Sequence, residues 1–155
     1  MSLPERVNED LKTAMRSRDE LRVSVLRMLI SAMRNKEIEK RGKGGDSVLT
    51  DDEQVAVVRS EAKKRRDAIE EYTKAGRSES AAQEQAEKRI LEEYLPAEMS
   101  DDELKKLLEP LVKGASSENF GRVMGLAMKA VSGRASGDRV GVMVRKLLET
   151  TELKS

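Results

Sequence analysis

The fold of this chain follows from one stretch, SENFGRVMGLAMKAVSGRASGDRV at Ser117–Val140. Its apolar residues recur at steps of three and four, the period of an amphipathic helix. Glycines stand four residues apart in two pairs, Gly121/Gly125 and Gly133/Gly137. A glycine inside a helix costs roughly 1 kcal/mol relative to alanine. A stabilising contact must therefore offset the cost of each pair, and close approach of another helix or of a ligand would supply it.

Helical spacing extends along the rest of the chain and predicts an all-α fold of seven helices. Pro96 should stop the fourth helix, because proline cannot continue it. We predict an N-terminal helical domain of about four helices at residues 1–95, a linker at 96–99 and a small three-helix module at 100–150. A module of about fifty residues buries too little surface to be more than marginally stable alone.

The composition excludes most enzyme chemistry. The chain has no cysteine, histidine or tryptophan, so thiol nucleophiles, imidazole bases and the usual zinc sites are absent. With only two tyrosines and one phenylalanine, it has no platform for stacking nucleic-acid bases. We predict no cofactor and no metal. The acidic triplets Asp51–Glu53 and Asp101–Glu103 are interpreted as helix-capping segments, since each follows a threonine or serine.

Charge is balanced overall but uneven along the chain. The 30 basic residues nearly match the 29 acidic ones. Between Lys12 and Lys43, however, ten basic residues face four acids, and between Lys113 and Lys146 seven face two. Such local surpluses indicate positive surfaces of the kind that bind polyanions. The basic run Lys63–Arg66 lies among acids at helical spacing, which favours a solvated, salt-bridged face.

The sequence also predicts location. Its first residues, MSLPERVNED, carry three acids and no apolar run, unlike a secretory signal peptide. The most apolar window, Val23–Met33, contains Arg27 and is too short to span a bilayer. We therefore expect a cytoplasmic protein without a membrane partner.

Several motifs, in order, resemble the YqeY family. They are LRVSVLRMLISAMRNKEIEK (Leu21–Lys40), LTDDE (Leu49–Glu53), KKRRDAIEEYTKAGR (Lys63–Arg77), ILEEYLPAEMSDDEL (Ile90–Leu104) and FGRVMGLAMKAVSGRASGDRV (Phe120–Val140). The domain of this family is similar to the tail of the B subunit of the tRNA-dependent amidotransferase (GatB). The resemblance implies an all-helical protein related to an enzyme that amidates glutamate or aspartate mischarged on tRNA.

The amidotransferase tail is the part expected to engage the tRNA body. By that similarity, Lys129, Arg134 and Arg139, which flank the turn at Gly133 and Gly137, are the predicted nucleic-acid-binding residues. We expect Gly121 and Gly125 to serve helix packing instead. No trace of the amidotransferase catalytic domain is present, so no catalytic residue is predicted.

Three functions remain open at this point. The first is a tRNA-binding accessory protein without autonomous catalysis. The second is a protein-interaction module that docks on amidotransferase subunits. The third is an enzyme contributing to tRNA-dependent amidation, a carbon-nitrogen ligase with glutamine as amido donor.

Overall fold

A computed structural model of the protein describes residues 1–154 and confirms the all-α fold. Within those residues there are seven α-helices, one short 3₁₀ turn at Ser117–Asn119 and no strand. The helices are α1 (Leu3–Ser17), α2 (Glu20–Gly42), α3 (Asp51–Lys74), α4 (Ser78–Glu92), α5 (Asp101–Val112), α6 (Phe120–Val131) and α7 (Gly137–Lys154). The chain divides into two compact units, Met1–Leu95 and a second that begins at Pro96.

Hydrogen bonds at the helix starts explain where three of the helices begin. The hydroxyls of Thr50 and Ser100 each accept a bond from the backbone N–H three residues on, as the capping interpretation predicts. The pattern Ser17-Arg-Asp-Glu20 predicts a capping box with Ser17 as the N-cap of α2. This prediction is wrong. Asp19 caps that helix by accepting from the Arg22 N–H at 3.1 Å, while the Ser17 hydroxyl donates to the Ala14 carbonyl of α1.

The first unit buries one apolar face of each of α1, α2, α3 and α4. Its fully buried side chains include Val25, Leu26 and Leu29 of α2 and Val58 of α3. Tyr94, just beyond α4, closes this core and donates its hydroxyl to Asp10. Burial, and then that hydrogen bond, raise the pKa of the tyrosine.

A buried arginine joins α3 to α4. Arg65 is 8 % exposed, and its guanidinium forms ion pairs with Glu61, Glu84 and Glu87 at 3.8, 3.7 and 3.0 Å. The buried Nε forms no hydrogen bond among the described residues, so its 3.0 Å contact with Glu87 is an ion pair only. The basic run Lys63–Arg66 is therefore only in part the solvated face that its sequence favours.

The second unit packs α5, α6 and α7 around a core of small and branched side chains. Leu104 and Leu108 of α5 meet Val123, Ala127 and Val131 of α6, together with the valines and leucines of α7. None of the helices within residues 1–154 has the length and apolar character of a membrane span.

Candidate nucleic-acid interface

Helices α6 and α7 form an antiparallel seam in which methionines cover glycines. A Cβ atom added at Gly137 would lie 4.0 Å from the Met128 methyl carbon, and one at Gly141 would lie 3.9 Å from that of Met124. At the far end of the seam, the Arg145 guanidinium lies 5.0 Å from the Phe120 ring centre. The arginine therefore covers a face of the aromatic ring, in a cation–π contact.

Gly121 and Gly125 of α6 face open space on the side where a side chain would project. Both are exposed, and a Cβ atom added at either would meet no heavy atom within 4 Å among the described residues. The prediction that this pair serves helix packing within the chain is therefore wrong. Gly125, in the interior of α6, still costs roughly 1 kcal/mol of helix stability, and no contact made by an added Cβ among the described residues would explain its place there.

Lys129 lies on the same outward side of α6. It is exposed and forms no hydrogen bond or ion pair with any part of the chain that the structure describes. Arg122 is likewise exposed and unpaired within residues 1–154. Positions 122, 125 and 129 are three and four residues apart, so the two cations flank Gly125 on one helix face. We call Gly121, Arg122, Gly125 and Lys129 the glycine face.

The structure gives the two predicted arginines a different environment. Arg134 donates from Nε to the Ala97 carbonyl at 3.2 Å and contacts the Glu103 carboxylate at 3.4 Å. Its own carbonyl accepts from the Met99 N–H at 2.8 Å. Arg134 therefore ties the loop after α6 to the segment that leads into α5.

Arg139 is held even more closely by the same segment. It donates to the Met99 carbonyl at 2.8 Å and to the Asp101 carboxylate at 2.9 Å, and it lies 3.7 Å from a Glu98 oxygen. Two carboxylates neutralise its charge. Lys129 and the two arginines thus form no single cationic cluster.

Conformation accounts for the glycine at the turn. Gly133 has a φ of +77° and follows Ser132, which also has a positive φ, of 47°. This left-handed backbone is disfavoured for residues with a Cβ atom. Gly137 is the first residue of α7, and among the described residues an added Cβ atom there would make just an ordinary van der Waals contact with Met128. The turn therefore needs Gly133 for its geometry, whatever else it does.

Sequence reasoning missed Gly141 and Arg122. The segment Gly137-Asp-Arg-Val-Gly141 repeats the four-residue glycine spacing, so the pattern itself could have shown that Gly137 pairs forward along α7. Arg122 could have been found by placing the cations on a helical wheel with Gly121 and Gly125.

Comparison with known proteins agrees with this architecture. The family described as Yqey-like protein matches residues 4–148. The chain belongs to the YqeY family. Curated relatives of this YqeY chain carry the name altered inheritance of mitochondria protein 41, mitochondrial. That of Lachancea thermotolerans is 36% identical over 89 residues, which cover 57% of this chain and 46% of the relative.

Two further relatives have the same name. The protein of Saccharomyces cerevisiae is 34% identical over 108 residues, covering 66% of this YqeY chain and 56% of the relative. The protein of Pyrenophora tritici-repentis is 32% identical over 136 residues, which cover 84% of this chain and 71% of the relative. The chain thus spans about half the length of the first two relatives.

These names contradict the expectation of a cytoplasmic protein, because each describes a mitochondrial one. The sequence argument was wrong because it tested for an apolar leader and an apolar span. Those features identify secreted and membrane proteins, whereas segments that direct proteins to mitochondria are amphipathic and rich in arginine.

Proposed function

We propose that this YqeY protein binds tRNA through the glycine face of α6 and acts as an accessory to tRNA-dependent amidation without catalysing it. The observation that supports the proposal most directly is the state of Gly121 and Gly125. Both are exposed in α6, and a Cβ atom added at either would meet no heavy atom of residues 1–154 within 4 Å. A helix without Cβ atoms at these positions lets an external backbone approach closely.

Charge favours RNA as the approaching chain. Arg122 and Lys129 are seven residues apart, which places them about 10 Å apart along the helix axis, with Gly125 between them. Two unpaired cations at this spacing can each neutralise a phosphate and release its counterions. The ring of Phe120, on the same helix, is covered by Arg145, so we expect recognition of shape and phosphates rather than base stacking.

An electrophoretic shift with total tRNA at about 50 and 200 mM salt tests the proposal. We expect a shift that weakens steeply with salt. The double variant Arg122→Glu/Lys129→Glu should bind about tenfold more weakly at low salt, and the slope of log affinity against log salt should fall by about 2.

The matched control reverses two exposed lysines of α5, Lys105→Glu/Lys106→Glu, which changes the net charge by the same amount. It should retain most of the affinity. The proposal is lost if wild-type protein shifts no tRNA at low salt, or if both double variants lose affinity equally, since binding would then depend on overall charge.

A second prediction concerns Gly121 and Gly125. Replacing either by alanine should raise stability but weaken tRNA binding. Gly125→Ala should raise the free energy of unfolding by about 1 kcal/mol, and Gly121→Ala, in the first turn of α6, by less, because alanine is the better helix former and meets no neighbour among the described residues. Each should also weaken tRNA binding. Urea denaturation and the same shift assay measure the two effects.

Gly133→Ala is the contrasting variant. It should destabilise the protein by about 1–2 kcal/mol, because an L-residue is strained at a positive φ. Alanine variants of Gly121 and Gly125 that bind tRNA as well as wild type does would show that the glycine face is not used.

The accessory role has its own test. Purified protein incubated with mischarged tRNA, glutamine and ATP should form no amide, whereas amide formation by this protein alone would make it an enzyme. Pull-down with nuclease treatment then distinguishes partners held by protein contact from those held through RNA.

A further inference from the structure

The first unit carries a second surface that the proposed RNA binding does not use. A groove of about 600 Å³ opens where α1 turns back into α2. Met15, Val23 and Met28 supply its apolar part, and Arg18 and Arg27 also line it. We call it the methionine groove.

The chain reversal that forms this groove is tightly specified. Arg18 ends α1 in the left-handed conformation, with a φ of 58°, and its N–H bonds the carbonyls of Ala14 and Met15. Asp19 then caps α2. A left-handed arginine is less favourable than a glycine at such a position, yet it places a cation at the groove.

The two methionines of the groove are exposed to solvent, and one of them is held by a hydrogen bond. Met15 is 52% exposed and Met28 is 41% exposed. The Met28 sulfur accepts a bond from the buried Arg65 at 3.5 Å, which orders the side chain while its surface stays free. Exposed methionines are typical of surfaces that adapt to apolar partners.

Unpaired cations surround this apolar surface. Many basic residues between Lys12 and Lys43 have carboxylate partners, as Lys12, Arg22, Lys36, Lys40 and Lys43 show. Arg18, Arg27 and Arg34 have none among residues 1–154. Arg34 follows Arg27 by seven residues and so shares its helix face. Glu20 is the one acid that lines the groove.

The same face of α2 continues beyond the groove. Ile38 lies eleven residues after Arg27, about three helical turns or roughly 16 Å along the axis, on the same side of α2 as Arg27 and Arg34, and it is 64% exposed. This face of α2 thus carries Arg27 and Arg34 between the methionine groove at one end and the exposed Ile38 at the other. An unpartnered face of this composition is complementary to a helix that has an apolar stripe flanked by carboxylates.

We propose that the methionine groove and the adjoining face of α2 bind an amphipathic helix of a protein partner, with leucine-like side chains on the methionines and carboxylates on Arg18, Arg27 and Arg34. Arginine suits this role because its planar guanidinium pairs with a carboxylate through two hydrogen bonds. RNA is the less favoured occupant, because phosphates gain nothing from exposed methionine and isoleucine. The proposal concerns the first unit and is independent of RNA binding by the second.

Methionine-methyl NMR tests it on the full-length protein. The probe is a synthetic peptide of about 18 residues, long enough to form a helix, with leucine every third or fourth position and glutamate on both sides of that stripe. The chain has 8 methionines, which report on both units. We expect the Met15 and Met28 methyl resonances to shift and saturate while those of Met124 and Met128 stay unchanged.

Two control probes define the chemistry. A peptide with lysine in place of glutamate should bind at least about tenfold more weakly, and so should the acidic peptide in scrambled order. Equal binding of the lysine peptide would overturn the charge argument. A short RNA duplex that shifts Met15 and Met28 more tightly than the peptide does would overturn the proposal in favour of RNA.

Variants test the residues. Met15→Ser/Met28→Ser and Arg27→Glu should each weaken peptide binding about tenfold or more. Val48→Ser, at a position that is 67% exposed in the loop before α3, and Lys63→Glu on the outer side of α3 should leave it unchanged. Absence of any shift in the wild-type protein at the solubility limit of the acidic peptide would sink the proposal.

Discussion

Replacing Arg65 by methionine is expected to lower the free energy of unfolding by about 3–5 kcal/mol. Arg65 lies between α3 and α4 and faces three carboxylates, those of Glu61, Glu84 and Glu87. Methionine fills similar space but leaves these charges close together in a site with little water. Urea denaturation at neutral pH, followed by circular dichroism, measures the loss.

The pH dependence distinguishes charge from packing. Burial raises the pKa of Glu84, and the neighbouring Glu87 raises it further, while Arg65 opposes the shift. A carboxyl whose folded-state pKa is raised binds more protons in the folded state, so stability falls as the pH rises through that pKa. Without Arg65, this fall should be larger.

The Arg65→Met defect should therefore be greatest near pH 8 and shrink towards pH 4, where carboxyls take up protons. Glu84→Gln should make the wild-type stability curve flatter and reduce the cost of Arg65→Met. Lys64 pairs with Glu61 at 2.9 Å and Lys88 pairs with Glu92 at 3.0 Å, and both pairs remain in every variant. A defect of the same size at both pH values would show that Arg65 acts by packing alone.

Arg65 also illustrates how far sequence reasoning reaches in this fold. The apolar spacing of α3 leaves Arg65 as one polar position on an otherwise apolar seam, so its burial could be foreseen from residues near it. Its partners Glu84 and Glu87 could not, because they come from α4, and helical periodicity within one segment carries no information about which helix packs against it.

Sequence patterns predicted the features that depend only on residues close together in the chain. Periodicity predicted the seven helices, and Thr50 and Ser100 were found as caps because a cap involves only residues three apart. The cap of α2, by contrast, was wrongly assigned to Ser17 on the same reasoning. The sequence offers both Ser17 and Asp19 as caps, and the left-handed turn at Arg18 gives Ser17 to α1 and Asp19 to α2.

The candidate interface depended on contacts that sequence does not contain. Counting charges located a basic surplus between Lys113 and Lys146, but it could not tell a paired cation from an unpaired one. The acids that neutralise Arg139 precede it by about 40 residues: Glu98 lies just before α5, and Asp101 is its first residue. Likewise, the spacing of Gly121 and Gly125 indicated an unusual face without showing that the face is bare.

The contrast between the paired Arg139 and the exposed Lys129 leads to different predictions for the two residues, which the sequence alone treats as equivalent. Arg139→Ala should lower the stability of the second unit by about 2–3 kcal/mol, because it removes a charged hydrogen bond to the Met99 carbonyl together with the contacts to Asp101 and Glu98. Lys129→Ala should change stability by less than about 0.5 kcal/mol, since Lys129 has no partner among the described residues. Urea denaturation of the two variants measures both values.

tRNA binding should rank the two variants in the reverse order. Lys129→Ala should weaken binding and lower the salt slope by about 1, whereas Arg139→Ala, assayed where it is still folded, should leave the slope unchanged. Arg139→Lys provides the conservative control, because lysine keeps the charge but cannot bond the carbonyl and the carboxylate as the guanidinium does; it should regain only part of the lost stability. A stable Arg139→Ala protein with a reduced salt slope would instead make Arg139 a phosphate contact, as the family resemblance first suggested.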